Sequence, residues 1–189
     1  DKANACYYSG LTVEMKDSDP DYPALLMGNY VLGGGALSSR IADRLRQKGG
    51  YSYSAASQFS ASPLDAKGGL IVMAIYNPVN RDKVATGVDE EVAKLLQDGV
   101  KEDELKRAKD GFLKQEEVSR TNDSALASQL TENLYLGRTF QFQADLESKI
   151  KSLTIDQVNA ALRKYVDPKQ FSVITAGDFK AKAEPAGGQ

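Results

Sequence analysis

Apolar and polar positions alternate at the two ends of the chain and recur at helical spacing through its middle. Residues 5–15 carry Tyr7, Tyr8, Leu11, Thr12 and Val13, a pattern that predicts a strand. Asp17-Ser18-Asp19-Pro20-Asp21-Tyr22-Pro23 is turn chemistry, with Pro23 suited to an early helical position. An apolar helix follows over 24–32, and Gly33-Gly34-Gly35 breaks it. Ser38 or Ser39 caps a second helix that runs to about Lys48. Segments 51–60 and 68–77 read as strands joined across 61–67, an antiparallel hairpin.

The helical middle is long. Val84, Val88, Val92, Leu95 and Leu96 recur at helical spacing over 80–97, with Gly99 just past the end. A charged helix over 101–121 presents Leu105, Ala108, Phe112 and Leu113 to a core, and helices over 123–136 and 140–151 are separated by Gly137. Thr154 and Gln157 form a capping box for a helix that ends before Asp167-Pro168, and 171–177 is a closing strand. The plan is α+β, a mostly antiparallel sheet with helices packed on one face. A single domain is expected over 1–180, with a disordered tail over 181–189.

Composition narrows the function without naming it. The chain has 189 residues, 41% of them hydrophobic and 26% charged, enough to bury a core without disulfide or metal staples. A net charge of −2, with both signs interspersed, provides no field for nucleic acid. The run Gly69–Tyr76 is far shorter than the roughly 20 residues that span a bilayer. Cys6 is the single cysteine and cannot form an internal bridge. Asp1 in place of Met suggests a start upstream, which leaves room for a targeting segment there.

The densest chemistry sits in Ser38-Ser39-Arg40-Ile41-Ala42-Asp43-Arg44-Leu45-Arg46-Gln47-Lys48-Gly49-Gly50-Tyr51-Ser52-Tyr53-Ser54. A basic amphipathic helix stops at a glycine pair and turns into a tyrosine-bearing strand. Arg46 falls in the last turn of that helix and Tyr53 early in the strand, and a glycine-mediated turn can bring both to one edge. The competing expectation is that Arg46 pairs with a neighbour such as Asp43 while Tyr53 fills the core. Gly33-Gly34-Gly35 with Ser38-Ser39 lacks the preceding strand and the lysine of a phosphate loop, so it reads as a turn between helices. Asp89-Glu90-Glu91 and Glu116-Glu117 are expected to be solvated helix faces, because neighbours on a helix point about 100° apart.

Ser39, Arg40, Ile41, Leu45 and Arg46, followed by Gly50, Tyr51, Ser52, Tyr53 and Ser54, resemble the Arg/Tyr segment of the M16 (pitrilysin/insulinase-like) zinc metallopeptidase family, in its C-terminal, non-zinc domain. Asp19–Gly34, Leu153–Ala161 and Ala176-Gly177-Asp178 resemble further pieces of that domain, in the same order. The resemblance implies a LuxS/MPP-like metallohydrolase fold and a role in binding and polarising a peptide substrate held in a closed chamber. Arg46 and Tyr53 match the family's pair that reaches the substrate backbone beside the scissile bond. The family's zinc motif, H-x-x-E-H, needs histidine, and this chain has none. Zinc is therefore expected in a homologous partner domain, on the same chain or a separate subunit, and this domain alone is expected to be inactive. Tyr51 replaces the family's usual leucine and is expected in the core; Gly49 replaces a charged residue and is expected to loosen the helix end. The alternative function is a non-catalytic scaffold or assembly subunit of the same family. Bacterial relatives are often exported, which suggests a periplasmic location.

Overall fold

The structure, a computed structural model, describes residues 3–35 and 38–179. The expected tail lies outside them. One sheet of four strands has the order β2-β3-β1-β4, with every pair antiparallel. The central strands are β1 (Ala5–Val13) and β3 (Gly68–Tyr76); β2 (Ser52–Ala61) and β4 (Ser172–Ala176) form the margins. The β2–β3 hairpin closes through the pairing of Ala61 with Gly68.

Period-two burial makes the sheet one-sided. Tyr7, Leu11 and Val13 of β1 join Leu70, Val72 and Tyr76 of β3 beneath the helices. The reverse face carries apolar side chains across all four strands, because Ala56, Met73, Tyr8 and Ile174 stand in one row of the register. Tyr8, Ile71, Ile75 and Ile174 are exposed there. The helices thus pack on a single face, as the sequence pattern implies.

Seven helices supply the second layer. Helix α1 (Tyr22–Asn29) carries Pro23 in its first turn, as expected, and widens into a π-helical turn over Tyr30–Gly34 that ends in the glycine run. That turn packs against β2, and the buried Ser57 hydroxyl donates to Asn29 Oδ1 at 2.7 Å. Helix α2 (Arg40–Ala42) also passes into a π-helical turn, Asp43–Lys48. Then come α3 (Arg81–Asp98), α4 (Glu102–Ser119), α5 (Asp123–Tyr135), α6 (Gln141–Ser152) and α7 (Ile155–Tyr165). The Thr154–Gln157 capping box opens α7, with the Thr154 N–H donating to Gln157 Oε1 at 2.8 Å.

An ion pair ties the first helices to the later ones. Arg40 Nε and Nη2 donate to the two Glu104 carboxylate oxygens at 2.8 and 2.6 Å, and Nη2 also reaches the Gly99 carbonyl at 2.7 Å. Such a fork is planar and bidentate, which a lysine could not reproduce. Burial alone would raise the Glu104 carboxyl, but the hydrogen bond from Arg40 and that from the Lys101 N–H hold it below its ordinary value.

Arg40→Ala leaves the half-buried Glu104 without its cation and should destabilise the fold by about 1–3 kcal/mol in urea unfolding. Because the folded value of Glu104 is depressed, its contribution is fully present above the ordinary carboxylate range. It disappears as pH falls through the lower folded value. Glu104→Gln should therefore lose less stability than the parent between pH 7 and pH 3, measured by the same unfolding assay.

Candidate functional site

The helix-to-strand connection at the β2 margin is built from two local irregularities. In the first, the π-helical turn Asp43–Lys48 closes with Gly49 N–H donating to Arg44 O and Tyr51 N–H to Leu45 O. This is a Schellman-like ending widened by one residue. Gly50 takes the left-handed conformation that reverses the chain, with φ of 61°. Gly49 is needed for another reason: a Cβ there would come within 2.6 Å of the Tyr51 ring and 2.7 Å of the Arg44 carbonyl. The two departures from the family pattern, Gly49 and Tyr51, are thus one packing solution. Tyr51 is half-buried against the core, with Lys83 Nζ 5.2 Å from its ring centroid. Gly49 seats that ring rather than loosening the helix end.

The second irregularity is a β-bulge. Ser52 pairs with Tyr76 and Ser54 with the adjacent Ile75, so Tyr53 is the extra residue. A bulge turns its extra side chain off the regular alternation and bends the strand. Ser52 consequently faces the core, and Tyr53 is 58% exposed. Tyr53 therefore does not fill the core.

Arg46 is also exposed, in the π-helical turn just before the glycine pair. Its basic neighbours are all paired: Arg40 with Glu104 at 2.6 Å, Arg44 with Glu90 at 2.9 Å, and Lys48 with Asp43 at 2.7 Å. The hydrogen bond from Arg44 lowers the Glu90 carboxyl, and the one that Lys48 donates to Asp43 raises the Lys48 ammonium. Asp43 is thus held by Lys48 and does not neutralise Arg46. Among the described residues, neither the Arg46 guanidinium nor the Tyr53 hydroxyl has a side-chain partner. The turn sets both at the same end of β2, seven positions apart, as donors facing solvent. A guanidinium and a phenol hydroxyl can each donate to a carbonyl oxygen or a carboxylate.

The acidic runs depart from expectation in two places. Glu116 is half-buried, and burial raises its carboxyl above the ordinary value. Glu91 is buried, because it shares the inward stripe of α3 with Val88, Val92 and Leu95, and Lys94 pairs with it at 3.1 Å. Its neighbour Glu90 does lie at the surface. The chain has no histidine, and no cluster of three or more metal-ligating side chains occurs among the described residues. This donor set does not fit a zinc ion.

Residues 1–112 match the family model for the peptidase M16 inactive domain. Among solved structures, a peptidase M16 inactive domain from Pseudomonas fluorescens shares 23% identity, covering 93% of this chain and 41% of that one, at a TM-score of 0.79. The periplasmic protease PqqL from Escherichia coli shares 18% identity over 93% of this chain and 19% of that one, at 0.72. A chain of complex III2 from Candida albicans shares 16% identity over 96% of this chain and 45% of that one, at 0.77. At these identities the likeness concerns the fold, and this chain spans less than half the length of each. No curated protein matches it.

Gly49→Ala should cost about 1–3 kcal/mol by forcing the Tyr51 ring out of its seat. Gly50→Ala, in open space but at positive φ, should cost about 1–2 kcal/mol from backbone strain alone. Thermal unfolding of each variant, with the Tyr51 ring resonances as local reporter, checks both: only Gly49→Ala should shift the ring.

Proposed function

The chain belongs to the peptidase M16 inactive-domain family, and from that premise we propose that it is the substrate-binding, transition-state-assisting domain of a zinc metalloendopeptidase. The observation that carries the proposal is the unpaired Arg46 guanidinium, exposed in the turn that leads into the strand of the exposed Tyr53, while Arg40, Arg44 and Lys48 are all neutralised. Negative charge develops on the carbonyl oxygen as an amide is hydrolysed, and preorganised donors aimed at that oxygen lower the barrier. Arg46 supplies a permanent charge with several N–H donors, and Tyr53 adds one hydroxyl on a rigid arm. Both stand ready without breaking an existing ion pair. The zinc ion of the family's chemistry would belong to a homologous partner domain, since this donor set does not fit it. The open apolar sheet face, with Tyr8, Ile71, Ile75 and Ile174, supports pairing with another domain.

A second function, assembly scaffold without catalysis, is favoured by the likeness to a chain of complex III2. It gives the Arg46–Tyr53 pair no task. The two functions separate in the full peptidase with its zinc-bearing domain present. Arg46→Ala and Tyr53→Phe should each lower kcat about 100-fold or more, with Tm unchanged. Arg44→Ala, which removes a surface ion pair, should leave kcat near the parent value. Peptidase rates that survive both the Arg46 and Tyr53 substitutions would assign the domain to the scaffold function.

A further inference from the structure

No residue of the four strands is Asp, Glu, Lys or Arg, in a chain of which 26% is charged. An antiparallel sheet with helices on one face ordinarily turns polar side chains to solvent on the other. Here the uncovered face carries Ile71, Met73 and Ile75 on β3, flanked by Tyr8 on β1 and Ile174 on β4. All but Met73 are exposed. A contiguous apolar surface of this kind marks a binding surface.

The bulge joins that surface to Tyr53. Ser52 pairs with the inward-facing Tyr76, and Ser54 with Ile75 of the uncovered face. A bulge sets two successive residues opposite one, and the exposure of Tyr53 places it with Ser54 opposite Ile75 rather than with the buried Ser52. Tyr53 therefore stands at the β2 border of the apolar surface, and whatever its hydroxyl contacts lies at that border. Strands are about 4.8 Å apart, so the face measures about 14 Å from β2 to β4, the reach of about four extended residues.

We propose that this sheet face is a specificity surface for the peptide, taking the uncharged, apolar side chains of an extended segment on one side of the scissile bond. The inference rests on the reading of Arg46 and Tyr53 as donors to a peptide carbonyl. The match is one of charge. The strands hold no cation or anion, so a charged side chain laid on them would lose hydration without gaining an ion pair. A partner domain that faces this sheet encloses the peptide between the two.

The full peptidase, stripped of its zinc with 1,10-phenanthroline, permits binding to be read without cleavage. The probe is a fluorescein-labelled octapeptide of alternating Ser and Leu, with counterparts carrying Glu or Lys in place of Leu, followed by fluorescence anisotropy. The parent should bind the Leu peptide at least about tenfold more tightly than either counterpart. Ile75 and Ile174 are 43% and 68% exposed, so Lys or Glu at either position should leave Tm near the parent value. Ile75→Lys and Ile174→Lys should each weaken the Leu peptide about tenfold and favour the Glu peptide, whereas Ile75→Glu and Ile174→Glu should favour the Lys peptide. Such a reversal with sign cannot come from misfolding. Affinities that none of the four substitutions changes overturn the inference. So does loss of assembly in light scattering for Ile75→Lys, since the face would then be a contact with another domain or a second copy. Affinity that follows the sign at Ile75, while Arg46→Ala leaves kcat at the parent value, supports the face and overturns only the catalytic reading of Arg46.

Discussion

Burying only one face of a four-stranded sheet sets the terms for everything else in this domain. On β1 the side chains of Ala5, Tyr7, Ser9, Leu11 and Val13 point under the helices, and a register slip of one residue would turn all five to solvent. With β1 and β3 locked in the centre, β2 and β4 are left as margins, each with one unpaired edge. The helices cover the inner rows, so the irregular chemistry of the fold collects at the two sides. One side carries exposed donors on a distorted turn, and the other a pocket lined by Ser9, Val88 and Phe171.

The donor side depends on how charge is distributed around it. The helix leading to β2 is strongly basic, yet Glu104, Glu90 and Asp43 each take up one cation. What remains is a single unneutralised guanidinium rather than a diffuse positive patch. That distinction matters chemically, because a broad basic surface attracts many anions, whereas one free guanidinium is a localised donor. The π-helical turn and the bulge contribute the geometry: one carries Arg46 at the helix end, and the other turns Tyr53 out of the sheet's inner face.

Much of the fold was legible because it follows short-range rules. Alternation revealed β1 and β3, the 3.6-residue spacing revealed α3 and α4, and Thr154 with Gln157 marked the start of α7. The antiparallel sheet with helices on one face follows from those signals. Arg46 and Tyr53 were found through a family resemblance carried by their surrounding motif; what sets them apart from their neighbours was not legible. Tyr51-Ser52-Tyr53-Ser54 looks like regular alternation, and nothing local announces an extra residue opposite Tyr76 and Ile75. The partners of Arg40 and Arg44 lie 64 and 46 positions away, beyond the reach of any local pattern. Glu91 was read as solvated because its acidic neighbours mask its place on the inward stripe of α3.

The bulge at Tyr53 has a consequence for how the molecule behaves in a crowded solution. A long, flat, unpaired strand is a template on which other chains polymerise, and β2, at ten residues, is the longest strand here. Its extra residue breaks the even spacing of outward N–H and C=O groups that an incoming strand would need. The opposite margin is guarded by brevity, since β4 runs for only five residues. The sheet thereby offers two poor templates for cross-β growth at its edges, and the kink that exposes a tyrosine also spoils the longer of them.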